Sequence, residues 1–256
     1  MIYTLITLLQ TGYYGEEMGF YGANGMGYGV PGQWGMYLLM IVIGVVGYIV
    51  QARLQAVTKK YSQVMFPGGL TGKEVAEKML RDNNIHNVKV THVAGQLTDH
   101  FNPATMTVNL SDTVYASRSV TAAAVAAHEC GHAVQHAVQY APLKMRSALV
   151  PVVNFASNIV QWVLLAGVLL INVFPGLLWF GIILFATTTL FSFVTLPVEI
   201  NASSRAITWL SQTGITDGQT RPMAIDALKW AAYTYVIAAL GSLATLLYYI
   251  GLARRD

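Results

Sequence analysis

Four stretches of the chain, near residues 34–50, 150–172, 177–196 and 230–252, stay apolar without helical or strand alternation. Each approaches the roughly 20 residues that a membrane-crossing helix needs, and each is predicted to span. Between the first two the pattern becomes mixed. TGKEVAEKMLRDNN predicts an amphipathic helix, with Thr71 as N-cap, Glu74 three residues on, and Val75, Ala76, Met79 and Leu80 as its apolar face. VKVTHVAG and, after LTDHFNPAT, the alternating run MTVNLS predict strands of a small sheet. Thr113 to Ala141 reads as one helix that ends before Pro142. Beyond the third span, VEINASSRAITWLSQTG predicts a separate helix stopped at Gly214, and TDGQTRPMAIDALKW leads into the last span. Residues 12–35, rich in Gly, Tyr and Met without any period, read as irregular.

The pattern predicts a mainly α, multi-pass membrane protein with about four transmembrane helices and a small α+β domain. Its parts are a Gly- and Tyr-rich extracytoplasmic segment (1–33), a first span (34–52), the α+β domain (53–149), a hairpin of two spans (150–196), a helix and connector (197–228), and a last span with its tail (229–256). Composition agrees: of 256 residues 54% are hydrophobic and 11% charged, against about 25% charged in a soluble domain. The net charge of +3 is spread along the chain with no basic-aromatic stripe, which argues against a nucleic-acid partner. Placement of the charges is more informative. Residues 1–52 hold no Lys or Arg, whereas Arg53, Lys59, Lys60, Lys73, Lys78 and Arg81 follow the first span, and Lys144 and Arg146 precede the second. The positive-inside bias then puts the N-terminus outside and residues 53–149 in the cytoplasm; Arg254 and Arg255 fall outside, against the bias. Cys130 is the only cysteine, so no internal disulfide forms.

The candidate chemistry lies in AAVAAHECGHAVQHA. His128 and His132, four residues apart, sit about 40° apart on one helix face with a rise of about 6 Å, close enough to share one metal. Glu129 stands about 100° round from His128, beside the metal rather than aimed at it. This is the H-E-x-x-H arrangement, in which two imidazoles hold Zn²⁺ and the glutamate acts as general base. The bland alternative is a helix whose histidines are hydrogen-bonded in a polar patch. Ala126, Ala127, Gly131 and Ala133 speak against it, because they let other backbone approach, and Gly131 costs about 1 kcal/mol of helix stability relative to Ala. His136 lies about 12 Å along from His128, too far to share the ion, and is a surface or core histidine or a support for the ligands. Gln135 and Val138 stand where a metzincin needs Gly and His. Cys130 points away from the histidine face and is expected to pack.

Glu199 follows an apolar span directly, where an ionisable group is costly unless paired or bound; the other reading is a solvated carboxylate at a helix start. Arg205 is expected either to stabilise a tetrahedral oxyanion or to face lipid phosphate. The strand from Thr105 to Leu110 is expected to border the cleft. An exposed edge there would bind an extended peptide through Thr105, Met106, Thr107 and Val108, unless its own chain covers it. Asp99 and His100, just before it, either orient substrate or form a turn. Asn201-Ala202-Ser203 matches a glycosylation sequon but falls on the cytoplasmic side.

HECGHAVQH, then APLKMRSALVPVVN, then the apolar hairpin ending in TLPVEINASSRA, resembles the YugP-like family of neutral zinc metallopeptidases, membrane relatives of the gluzincin clan. The similarity runs over roughly residues 45–250 and takes in GLTGKEVAEKML and LTDHFNPATMTVNLS, but not the N-terminal 33 residues. The resemblance implies a gluzincin-like zinc peptidase domain with one Zn²⁺ per chain, His128 and His132 as ligands, Glu129 as base and Glu199 as third ligand. In the related CAAX-processing and heat-shock membrane peptidases the ligand glutamate is followed by Ala-Asp at the third and fourth positions. Here Ala202 is followed by Ser203, which can hydrogen-bond a ligand but supplies no charge.

The function read from the sequence is hydrolysis of peptide bonds by a zinc metalloendopeptidase in the cell membrane, its site on the cytoplasmic side, acting on a peptide or membrane-protein substrate. A partner protein or homo-oligomer is left open. The rival is a membrane metalloprotein without peptidase activity, a scaffold or metal handler. Transport is disfavoured because the apolar runs hold only scattered Asn154, Asn158, Asn172 and Thr187 to Thr189.

Overall fold

The computed structural model describes residues 33–254, so the reading of residues 1–33 lies outside the described residues apart from Gln33. Helix α1 (Gln33–Tyr61) leads into the α+β domain, made of α2 (Gly72–Asp82), β1 (Lys89–Val93), β2 (His100–Asn102), β3 (Thr107–Ser111), α3 (Asp112–Tyr115) and α4 (Val120–Ala137). Three long helices complete the chain: α5 (Ala141–Leu169), α6 (Pro175–Gln212) and α7 (Thr220–Ala253). The described residues thus form a mainly helical protein with a small three-stranded sheet and 4 helices long and apolar enough to cross a membrane. Trp162, Leu169, Ile183 and Leu190 stay exposed on the outer faces of the bundle, which suits hydrocarbon rather than water.

The start of α2 follows from its first residues. Thr71 accepts from the Glu74 N–H and Glu74 accepts from the Thr71 N–H, a closed capping box. Its apolar face, Val75, Ala76, Met79 and Leu80, is buried against α4, β1 and β3. In the sheet β1 runs parallel to β3 and β2 antiparallel to it, in the order β1-β3-β2. The expected single helix from Thr113 to Ala141 is two, because Ser119 caps a fresh start by accepting from the Ala122 N–H. At the other end α4 stops at Ala137, and Gln139, just past the cap, has a φ of 54° in the left-handed region. Pro142 begins α5 rather than following α4, since a proline in a first turn lacks only an N–H that would be unpaired there.

The hairpin of α5 and α6 closes on two glycines. A Cβ at Gly167 would lie 2.7 Å from the Leu178 Cα, and one at Gly181 would lie 2.8 Å from Leu164 Cδ2. The separate helix expected after the third span is instead the continuation of α6, a single helix of 38 residues with Pro197 inside it. Helix α1 leans on α7, where the Tyr61 hydroxyl donates to Asp226 and the Arg53 guanidinium lies over the Trp230 ring.

Candidate metal centre

Helix α4 is built to be approached. Ala122, Ala123, Ala124, Ala126 and Ala127 are fully buried, and the Cys130 thiol packs against α2, donating to the Ala76 carbonyl. At Gly131 the backbone of α6 comes so near that an added Cβ would sit 2.6 Å from the Ala202 carbonyl oxygen. This crossing brings Glu199 to two histidines 67 or more positions before it: His128, His132 and Glu199 each offer a donor atom, all within 4.8 Å of one another. Glu199 Oε2 lies 3.3 Å from His128 Nε2 and 3.5 Å from His132 Nε2. Donors bonded at about 2.0–2.1 Å to one tetrahedral ion stand about 3.3–3.4 Å apart, so these spacings suit zinc.

The hydrogen bonds around the cluster decide which ring nitrogen is free. Gln135, fully buried, donates through Nε2 to the Val198 carbonyl at 2.8 Å and to Asn201 Oδ1 at 3.0 Å. That end of the amide must be the NH₂, so Oε1 faces His132 and accepts from its Nδ1 at 3.0 Å. His132 is thereby protonated at Nδ1, and its Nε2 is turned toward Glu199. Ser203 is hydrogen-bonded to His128 Nδ1 at 3.0 Å and turns that ring the same way. Glu199 Oε2 is buried and has no hydrogen-bond partner. An unpaired carboxylate oxygen facing two imidazole nitrogens is the environment a divalent cation relieves. The residues present therefore fit zinc.

Glu129 is buried beside the cluster and takes no part in it. Burial pushes its carboxyl up to about 7, the neighbouring Glu199 and Asp99 carboxylates add to this, and His128 opposes it. Its Oε2 accepts from the Phe101 N–H of β2 at 3.1 Å. Asp99 is held by the Ser111 N–H and hydroxyl, and burial raises its pKa above the ordinary value in spite of both bonds. It thus ties the start of β2 to the end of β3.

The outlying candidates fall elsewhere. His136 is exposed and lies against the Phe101 ring, 5.7 Å between centroids, not against the cluster. Arg205 donates through Nε to Asn201 Oδ1, one turn back on its own helix. The arginine at the cluster is Arg146 of α5, whose Nη1 lies 3.6 Å from Glu199 Oε1. The expected exposed edge at Thr105 to Val108 does not exist. Thr105 and Met106 form a turn, while Thr107 and buried Val108 belong to the central strand, both edges of which are already paired. The outer edge beside Glu129 is that of β2. Arg146 and Gln135 were invisible as site residues in the sequence, because only tertiary packing carries them there.

Taken together, a cluster of two imidazoles and a carboxylate held among membrane-length helices defines a multi-pass membrane protein with a zinc-type donor set. Residues 36–254 match the family described as "Putative neutral zinc metallopeptidase", and the chain belongs to that family. Over 217 residues it is 40% identical to the protein named "Putative membrane protease YugP" of Bacillus subtilis (strain 168), across 84% of this chain and 96% of that one. No solved structure matches the chain.

Proposed function

We propose that the protein is a gluzincin-type zinc endopeptidase that cleaves peptide or membrane-protein substrates at the cytoplasmic surface of the membrane. The observation that carries this reading is the convergence of His128, His132 and the partnerless Oε2 of Glu199, with Glu129 beside them. His128, His132 and Glu199 would hold one zinc ion per chain. Bound there, zinc supplies a Lewis acid that polarises the scissile carbonyl and acidifies water.

Glu129 then works as the base. One carboxylate oxygen takes the proton of the attacking water, and the same group returns it to the nitrogen of the departing amine. The Phe101 N–H holds the other oxygen, which fixes the carboxylate and links the base to the outer edge of β2. An extended substrate would lie alongside β2, next to Glu129, which already takes the Phe101 N–H of that edge. The cytoplasmic assignment rests on Lys59, Lys60, Lys73, Lys78 and Arg81, which follow the first span.

The test is Glu129→Gln in the full chain. It is expected to bind zinc as the wild type does while peptide-library cleavage falls by about 10²–10⁴-fold. Retained cleavage would remove Glu129 from the mechanism. Because Cys130 is the one cysteine and is buried, Arg81→Cys reports the side: an impermeant maleimide should label it only after cells are lysed. Labelling of intact cells would place the site outside.

A further inference from the structure

Arg146 has no part in the reading of the motif, yet its side chain lies at the centre of the site. It sits in the second turn of α5, a helix long and apolar enough to span, and is only 14% exposed. Its Nη1 lies 3.6 Å from Glu199 Oε1, while its Nε is buried with no hydrogen-bond partner. A buried guanidinium with an unpaired N–H is costly, and the paired carboxylate is the compensation the structure shows. Glu199 is thus handled differently at its two oxygens: Oε1 faces Arg146, and Oε2 faces both imidazoles. Tyr235 of α7 also lies beside this carboxylate.

We infer that Arg146 is a positioning residue for the metal centre. By engaging Oε1 it sets the plane of the Glu199 carboxylate, so that one oxygen and not both is presented to the ion. The inference rests on the assignment of Glu199 as a zinc ligand. Two effects of opposite sign are at stake. A positive charge near the ion weakens cation binding, whereas a carboxylate held in the ligating orientation strengthens it by sparing the ordering of a flexible side chain. Positioning wins if the plane of the carboxylate is what limits affinity. Removal of a residue that orients a ligand typically lowers metal affinity by about 10–100-fold.

The experiment uses the detergent-solubilised full chain, with Zn²⁺ affinity read by chelator competition and the Co²⁺ d–d spectrum read on the substituted protein. Arg146→Met is expected to bind Zn²⁺ about 10–100-fold more weakly and to show an altered Co²⁺ spectrum. Arg146→Gln, polar but too short to reach Oε1, stands in if the apolar variant fails to fold. Arg146→Lys, which keeps both charge and reach, is expected to recover affinity to within a few-fold. In a Glu199→Gln background the loss of Arg146 should add nothing, because the residue through which it acts is gone. Unchanged affinity and spectrum in the Met or Gln variant would overturn the inference. So would tighter Zn²⁺ binding, which would make Arg146 a source of repulsion, and so would an undiminished loss in the Glu199→Gln background. A wild type that binds no Zn²⁺ would instead sink the metal assignment itself, and the two failures are told apart by that control.

Discussion

Replacing Gly131 by alanine sets two effects against each other. Within an isolated helix the change gains about 1 kcal/mol, the usual penalty carried by glycine. In the folded protein the new Cβ falls 2.6 Å from the Ala202 carbonyl oxygen, with the Ala202 Cα and carbonyl carbon at 3.1 and 3.2 Å. These are backbone atoms, so no side-chain rotation relieves the contact, and α4 and α6 must part by about 0.4–0.8 Å. Overpacking of this kind costs about 1–3 kcal/mol, more than the helix gains, which leaves a net loss of about 0–2 kcal/mol. The metal centre suffers more than the fold. His128 and His132 flank Gly131 on α4, and Glu199 lies just under one turn before Ala202 on α6, so the same displacement opens the 3.3 and 3.5 Å spacings. Site geometry is tolerant to only about 0.5 Å. Gly131→Ala is therefore expected to keep its far-ultraviolet circular dichroism while its Zn²⁺ affinity, measured by chelator competition, falls about 10-fold or more. A variant that melted higher and bound zinc as the wild type does would refute the reasoning, because helix propensity would then have won.

Gln135→Leu leaves His132 Nδ1, the Val198 carbonyl and Asn201 without their partner, and zinc affinity by titration calorimetry should fall about 10–100-fold. Equal affinity would count against the protonation assigned to His132. Chelation should lower the melting temperature, since zinc at 100 times its dissociation constant stabilises by about 2.7 kcal/mol, and the shift should be absent in His128→Ala. No shift in the wild type would mean that the ion does not tie α4 to α6. Acid should loosen the start of α2. The Thr71 N–H and hydroxyl hold the Glu74 pKa below its ordinary 4.5, so its contribution is complete above 4.5 and is lost as pH falls through the lowered value. Amide protection factors over the first turn of α2 should drop between about pH 6 and pH 3, and constancy there would contradict the capping box.

What the sequence disclosed was whatever depends on local period. The two imidazoles four residues apart, the capping box at Thr71 and Glu74, and the strands at Lys89–Val93 and Thr107–Ser111 are all set within a turn or a few residues, and the structure has them. The apolar runs likewise became α1, α5, α6 and α7. Glu199 was reached through its cost beside a membrane and through the family resemblance, not through spacing. The β2 strand was missed because three residues, His100–Asn102, are too short to show alternation, and with it went the correct edge of the sheet. Arg146 read as a topogenic charge and Gln135 as a departure from another motif, since neither has a local signal for a contact made across helices.

The misjudged break at Pro197 explains how the site is assembled. A helix of 38 residues is about 57 Å long, against roughly 30 Å for the hydrocarbon core. If its first 20 or so residues fill that core, Glu199 emerges about one turn beyond it. Pro197 lies just past this boundary and frees only the Phe193 carbonyl one turn back, a local loss that can kink a long packed helix without ending it. Had α6 broken there, Glu199, Ala202 and Ser203 would sit on a segment oriented independently of the bundle. Because it continues, the same rigid rod that packs against α5 through Gly167 and Leu178 also meets Gly131 of α4 and sets Ser203 on His128. The candidate metal centre is therefore tied to the long apolar helices by construction, because Glu199 and Ser203 stand on α6 itself rather than on any flexible loop.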